Sequence, residues 1–218
     1  MIARPKAILF DWDNTLIDSW PMIYEALVKV FEHMGHEPWS LAETKSKVHQ
    51  SMRDAFPKLF GERWNEAAHI YQSYFRANHI QCLTPMKDVK KTLELCNHYE
   101  IFTAVVSNKT GEHLRKEVTH LQWDRFFEAV VGATDAAKDK PAKEPVQMAL
   151  EKSSIKAGEE IWFIGDSITD MQCAHHTKCV PILFGFEQKE SVEQAGYPPK
   201  YSVGSHQELM DLLELTRA

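Results

Sequence analysis

Three short apolar segments, each followed at once by polar residues, constrain the fold of this chain more than any other sequence feature. They cover residues 7–10, 102–106 and 161–164. None of them alternates apolar with polar residues, which is typical of strands that are covered on both faces of a parallel sheet. Two weaker apolar segments, 129–131 and 180–184, are candidates for further strands. We therefore predict a mostly parallel sheet with helices on both faces.

Helical patterns lie between these segments in the second part of the chain. Residues 111–121 and 145–152 favour helices, and Ser205 with Glu208 forms a capping box in front of another. This alternation of strand and helix after about Thr84 predicts an α/β fold with a doubly wound, Rossmann-like parallel-sheet core.

Residues 18–83 have a different character, because they contain no convincing strand pattern. Ser40 and Glu43 form a second capping box, and aromatic residues recur at helical spacing between Trp64 and Phe75. We predict an inserted all-helical region at 18–83. The α/β core is then formed by residues 1–17 and 84–218.

Acidic residues follow the first and the third of the clear strand segments. Asp11 and Asp13 are two residues apart, so their side chains point the same way in an extended chain. Asp166 and Asp170 are four residues apart, which is one turn of a helix that begins near residue 167. Because ligands bind at the carboxyl ends of parallel strands, we expect these carboxylates to converge. Their mutual repulsion favours a bound Mg²⁺ ion, and the simpler alternative is solvated loop carboxylates or helix caps.

The same segments resemble the four motifs of the haloacid dehalogenase superfamily. Residues 8–16 are similar to its first motif, an apolar strand followed by Asp-x-Asp-Gly-Thr-Leu, with Asn14 at the glycine position. Asparagine also tolerates left-handed backbone angles, so we expect that turn to survive. Residues 105–109, 139–150 and 165–170 resemble the second, third and fourth motifs, in the family order. The overall likeness is to the phosphoglycolate phosphatase-like branch.

The resemblance implies a Mg²⁺-dependent phosphatase that hydrolyses a small phosphorylated metabolite, such as a phosphoglycolate-like monoester, through an aspartyl-phosphate. Asp11 would be the nucleophile, and Asp13 would protonate the leaving oxygen and then activate water. The metal would be held by Asp11, by the backbone carbonyl of Asp13 and by Asp166. Asp170 would lie in the metal shell or just behind it.

The resemblance also implies how the phosphoryl group is bound. Ser107 and Lys140 would contact it as catalytic residues, with help from Thr15 and Asn108. Thr15 could equally be an ordinary turn threonine. Lys143 is a rival to Lys140, but the nine-residue spacing to the Ala-Leu pair at 149–150 favours Lys140.

The helical insert stands where the family has a type 1 cap. Within it, Arg53 is the candidate to pair with a substrate carboxylate, and the alternative is a surface arginine on an amphipathic helix. Lys109 either lines the phosphate pocket or faces solvent.

Two other functions remain open at this point. A phosphomutase of the same fold would return the phosphoryl group to a second hydroxyl. A non-catalytic member would only bind a phosphorylated ligand or a partner protein. The dehalogenases of the superfamily lack a carboxylate at the position of Asp13, so a phosphate ester is the better substrate.

Composition limits the partners and the location. Lys+Arg 25 against Asp+Glu 31 gives a net charge of −6, which disfavours nucleic acid and anionic membranes as main partners. No apolar run approaches the ~20 residues of a membrane span, and the short start before the first strand segment suggests no signal peptide. Four cysteines without a CxxC pair favour buried, reduced thiols in a cytoplasmic protein. The oligomeric state is left open.

Overall fold

The computed structural model describes residues 2–48 and 50–217. Its strands are β1 Ile2–Ala3, β2 Ala7–Phe10, β3 Phe102–Thr110, β4 Ala129–Ala133, β5 Ile161–Gly165, β6 Val180–Phe184, β7 Tyr201–Val203 and β8 Thr216–Arg217. Its helices are α1 Trp20–Met34, α2 Leu41–Lys47, α3 Met52–Phe60, α4 Trp64–Asn78, α5 Val89–His98, α6 Gly111–His120, α7 Glu144–Leu150, α8 Ile168–Thr177, α9 Lys189–Gln194 and α10 His206–Glu214.

Six of these strands form one parallel sheet in the order β4-β3-β2-β5-β6-β7, and β1 pairs with β8 in a separate parallel pair. Phe10 lies opposite Val105 on one side and opposite Ile164 on the other. The residues that follow these three positions therefore reach the same edge of the sheet. The predicted doubly wound α/β fold is confirmed.

The apolar core occupies both faces of this sheet. Ile8 and Phe10 pack in the cluster that contains α5, α6 and α10, whereas Ala7 and Leu9 pack in the cluster that contains α7 and α8. A strand that is buried on both faces has no polar side to present. This arrangement explains why the strand segments show no alternation.

All elements from Trp20 to Asn78 are helical, α1 to α4 with one short 3₁₀ turn, and we call these residues the helical segment. They have an apolar cluster of their own, centred on α1, α3 and α4. The chain enters and leaves this region side by side, since the Asp18 N–H donates to the Thr84 carbonyl at 2.9 Å. The Met86 N–H donates to the Leu16 carbonyl, also at 2.9 Å. The division into domains at 17/18 and 83/84 stays a prediction.

Several details differ from the sequence expectations. The strand expected at 102–106 continues to Thr110, because β3 pairs with β4 again beyond an irregularity after Val106. β7 has no counterpart among the expected strands, and it pairs with β6, so β6 is not at the edge of the sheet. Cys82 is exposed in the turn after α4, so the expectation of four buried thiols is wrong for this residue. None of the described helices is long and apolar enough to cross a membrane.

Candidate active site

The candidate site lies at the carboxyl edge of the sheet, where β2, β3 and β5 end close together. Asp11 follows β2, Ser107 lies near the end of β3, and Asp166 follows β5. The Asp11 N–H donates to the Ile164 carbonyl at 2.8 Å, which continues the β2–β5 pairing by one residue. Parallel pairing therefore brings together side chains that are up to 155 positions apart in the chain (166 − 11).

Lys140 links two of the predicted carboxylates. Its Nζ atom lies 2.7 Å from Asp11 Oδ1 and 2.6 Å from Asp170 Oδ1, and its side chain is only 3% exposed. The side chain of Asn108 makes two hydrogen bonds to the backbone of Lys140. Its Nδ2 donates to the Lys140 carbonyl at 3.1 Å, and its Oδ1 accepts the Lys140 N–H at 3.0 Å. Lys143, the rival, is exposed at the start of α7. Asn108 thus positions the loop that carries Lys140.

The carboxylates are crowded, and their pKa values reflect it. Burial raises the pKa of Asp11 to about 6, against the opposing effect of Lys140 and with further help from Asp170 and Asp13. Desolvation, followed by the charges of Asp170 and Asp11, raises the pKa of Asp166 well above its usual value. Desolvation alone would lower the pKa of Lys140, but its two carboxylate neighbours raise it. One ammonium group therefore does not neutralise the cluster.

The donor set fits a hard divalent cation. Asp11, Asp166 and Asp170 each offer a carboxylate oxygen, and these atoms lie within 4.8 Å of one another. Asp170 is fully buried, and its Oδ2 accepts the Ser167 N–H at 3.0 Å and the Ser167 hydroxyl at 2.6 Å. Because its other oxygen accepts from Lys140, Asp170 is the member of the group with the fewest free lone pairs. It also caps α8, so the capping and the site interpretations both apply to it.

The Asp13 carboxylate lies outside this group of three. Its Oδ1 is 2.6 Å from Lys109 Nζ and also accepts a short hydrogen bond from the Ser19 hydroxyl. The Lys109 side chain is 4% exposed, so the solvent-facing interpretation of this lysine is wrong. The Asp13 carboxylate is thus paired with Lys109 and Ser19, whereas the Asp11 carboxylate is paired with Lys140.

Glu117 of α6 is a buried site residue that the sequence analysis did not identify. Its Oε2 accepts from Trp12 Nε1 at 2.6 Å and lies 2.8 Å from Lys109 Nζ. Its Oε1 lies 2.8 Å from Nδ1 of His79, which follows the end of α4. Its burial could have been predicted from its position in the helix. Glu117 comes three residues after the buried Leu114 and so shares the apolar face of the helix.

The remaining predicted residues have mixed placements. Ser107 is buried at the cavity, and its hydroxyl accepts the Lys109 N–H at 3.2 Å. Asn14 has φ 60°, as expected for its left-handed turn. Thr15 is fully buried and is not among the described residues that line the cavity.

Arg53 is likewise not among the described residues that line the cavity. One of its terminal nitrogens lies 2.8 Å from Asp139 Oδ1, in the residue that precedes Lys140. The Asp139 side chain is 1% exposed, so the carboxylate of this ion pair is buried. Arg53 therefore connects the helical segment to the Lys140 loop, and the expected free guanidinium for a substrate is not present.

A cavity that is partly open to solvent lies between the sheet edge and the helical segment. Its floor is polar and includes Asp11, Asp13, Ser107, Lys140 and Asp166. Its remaining walls come mainly from α1, α3 and α4. The candidates for nucleophile, positive charge and acid–base group thus line one cavity, as hydrolysis of a small ester requires.

Comparison with known proteins places this geometry in a family. The model for haloacid dehalogenase-like hydrolases matches residues 8–183, which include β3, β4 and β5 whole, β2 without its first residue and β6 without its last. The chain belongs to the haloacid dehalogenase-like hydrolase family. The recognition made from the four motifs is therefore confirmed, and so is the prediction of a phosphatase-like hydrolase.

Relatives within the family cover nearly the whole chain. A pyrophosphatase PpaX of Anoxybacillus flavithermus is 24% identical over 97% of this chain and 98% of its own length. A phosphoglycolate phosphatase of Aquifex aeolicus is 27% identical over 85% of this chain and 88% of its own. A haloacid dehalogenase-like family hydrolase of Streptococcus pneumoniae shares the fold, with a TM-score of 0.82 at 22% identity, over 94% of this chain and 97% of that one.

Proposed function

We propose that this chain is a Mg²⁺-dependent phosphatase that hydrolyses a small phosphate monoester through an aspartyl-phosphate on Asp11. The observation that carries the proposal is that two neighbouring carboxylates have different partners. Asp11 lies against Lys140 and the acidic group, whereas Asp13, two residues later, lies against Lys109 and Ser19. One carboxylate is thus suited to nucleophilic attack and the other to proton transfer.

The residues present fit the Mg²⁺ ion that the family resemblance implies. Asp11 and Asp166 would hold it, together with the backbone carbonyl of Asp13, and Asp170 would support the site from behind. When bound, the ion supplies positive charge for the phosphoryl oxygens and for the crowded carboxylates. This assignment agrees with the raised pKa values of Asp11 and Asp166, which a nearby cation would lower.

The chain's own side chains then perform two displacements. An Asp11 carboxylate oxygen attacks phosphorus, and the bond from phosphorus to the ester oxygen breaks as Asp13 donates a proton to that oxygen. Asp13 then accepts a proton from water, whose oxygen attacks phosphorus and releases Asp11 and inorganic phosphate. Lys140 and the Ser107 hydroxyl bind the phosphoryl oxygens in both steps.

A direct test is release of p-nitrophenolate from p-nitrophenyl phosphate by the purified chain. We expect turnover with Mg²⁺, none with EDTA, and none for Asp11→Asn. Asp18→Asn, at an exposed aspartate of the same loop, is the matched control and should keep its activity. Trapping with hydroxylamine should mark position 11 as a hydroxamate, since acyl phosphates react with this nucleophile. Full activity of Asp11→Asn would refute the proposal, and substrate binding without phosphate release would favour the non-catalytic alternative.

A further inference from the structure

The walls that the helical segment contributes to the cavity are apolar and rich in rings. Six of the lining side chains are large and mainly apolar, and all but the methionine carry an aromatic ring: Trp20, Trp39, Met52, Phe56, Tyr71 and Phe75. Several of these rings are in mutual contact, such as Phe56 with Tyr71 at 5.6 Å and Tyr71 with Phe75 at 5.6 Å between centroids. These walls lie beside the space in which a ligand whose phosphoryl group is at Asp11 would place its remaining atoms.

Cations that could bind a second anionic group of a ligand are already engaged. Lys140 is paired with two aspartates and is assigned to the transferred phosphoryl group itself, and Lys109 is paired with Asp13 and Glu117. Arg53 is paired with Asp139 and does not line the cavity. Among the described lining residues, no further arginine is present.

Two other basic side chains line the cavity without offering a dedicated anion site. Lys47 is 44% exposed, lies 3.3 Å from Glu43 and stacks over the Trp39 ring at 4.6 Å. Burial and the neighbouring His79 lower the pKa of His113 to about 4, so this imidazole is neutral at pH 7. The helical segment therefore contacts a ligand mainly through apolar surface.

We infer that the preferred substrate is a phosphate monoester whose leaving group is apolar and carries a ring. This inference rests on the proposed phosphatase function and narrows its substrate class. The glycolate carboxylate and the second phosphate of pyrophosphate each need a cationic partner, because burying an unpaired charge is costly. The walls instead gain from the removal of apolar ligand surface from water. The preference therefore differs from the substrates after which the two relatives above are named.

The test compares 2-phenylethyl phosphate with ethyl phosphate, because both release a primary alcohol and differ mainly in apolar area. We expect kcat/KM to be at least about tenfold higher for the phenylethyl ester, since each buried methylene-sized group contributes several-fold to binding. Phosphoglycolate and pyrophosphate should have lower kcat/KM than the phenylethyl ester. Equal kcat/KM for the two alkyl esters, or faster turnover of phosphoglycolate, would overturn the inference.

A matched pair of variants assigns the preference to the cavity wall. Leu59 is 38% exposed and lines the cavity, whereas Leu41 is 42% exposed on the same helical segment and does not line it. Leu59→Lys should reduce the ratio of phenylethyl to ethyl activity by several-fold, and Leu41→Lys should leave this ratio unchanged. An equal change in both variants would contradict the assignment of the preference to the cavity.

A binding measurement separates failure of this inference from failure of the proposed function. Calorimetry with Mg²⁺ compares 2-phenylethylphosphonate with ethylphosphonate, which cannot be hydrolysed at the phosphorus–carbon bond. Tighter binding of the phenylethyl compound supports the apolar cavity even if no ester is turned over. Turnover of all esters without any preference in rate or binding retains the phosphatase and rejects the apolar leaving group.

Discussion

Replacing Asp11 by asparagine should stabilise the metal-free protein at neutral pH. Asp11 is 7% exposed and shares one ammonium group with Asp170 while lying near other carboxylates. Its ionised form is therefore disfavoured in the folded protein, and burial is the largest cause. Asparagine keeps the shape of the neutral carboxyl group and removes the charge.

The magnitude and its pH dependence follow from the pKa of this group. Folding raises the pKa from its ordinary value of 3.8 to about 6. At about 1.4 kcal/mol per pKa unit, a shift of roughly two units corresponds to about 3 kcal/mol. Between these two pH values the folded protein holds the proton more tightly than the unfolded chain, so stability falls as the pH rises from about 4 to about 6. The Asp11→Asn variant lacks this loss. Its free energy of unfolding should therefore exceed that of the wild type by almost nothing at pH 4 and by about 3 kcal/mol above pH 7.

Urea unfolding in EDTA at pH 4.5 and pH 7.5 measures this difference. Asp18→Asn, at an exposed carboxylate, is the control and should change the free energy of unfolding little at either pH. Mg²⁺ should then stabilise the wild type more than Asp11→Asn, because the added cation favours the ionised carboxylate. If Asp11→Asn has the same advantage at both pH values, or is less stable at pH 7.5, the account of a crowded, charge-deficient site is refuted.

Three further predictions concern activity. Lys140→Ala should lower kcat/KM by about 10²–10³, whereas Lys143→Ala, at an exposed side chain, should lower it at most several-fold; a larger loss at Lys143 in steady-state kinetics would reverse the assignment. Asp166→Ala should shift the Mg²⁺ concentration for half-maximal activity upward, and an unchanged midpoint in a Mg²⁺ titration would remove Asp166 from the metal site. Lys109→Met should lower kcat by about tenfold or more with little change in KM, because Asp13 loses its charged donor; an unchanged kcat would show that Lys109 has no part in positioning Asp13.

The order of residues along the chain was sufficient to predict the sheet edge and the acidic residues that lie on it. Asp11 and Asp166 follow buried strands directly, and parallel pairing brings strand ends together without further information. Asn14 could also be anticipated, because asparagine is one of the few residues that tolerate its left-handed angles.

Contacts between side chains of the helical segment and side chains of the α/β core could not be predicted in the same way. Arg53 and Asp139 are 86 positions apart (139 − 53), and nothing in either local sequence indicates that they meet. Lys109 was ambiguous because a lysine in a strand-end loop is usually solvated. Its burial follows from Glu117 on a helix and from the unexpected continuation of β3 to Thr110.

The contact between His79 and Glu117 has a consequence for chimeric proteins built by exchanging helices between family members. Glu117 belongs to α6, and its side chain is 1% exposed, whereas His79 comes from the chain that follows α4. A graft that ends the foreign sequence after position 79 and brings no histidine there leaves one buried carboxylate oxygen without its donor, at about 1–3 kcal/mol. Both residues should therefore come from the same parent protein. Junctions that are placed only at helix boundaries would take them from different parents.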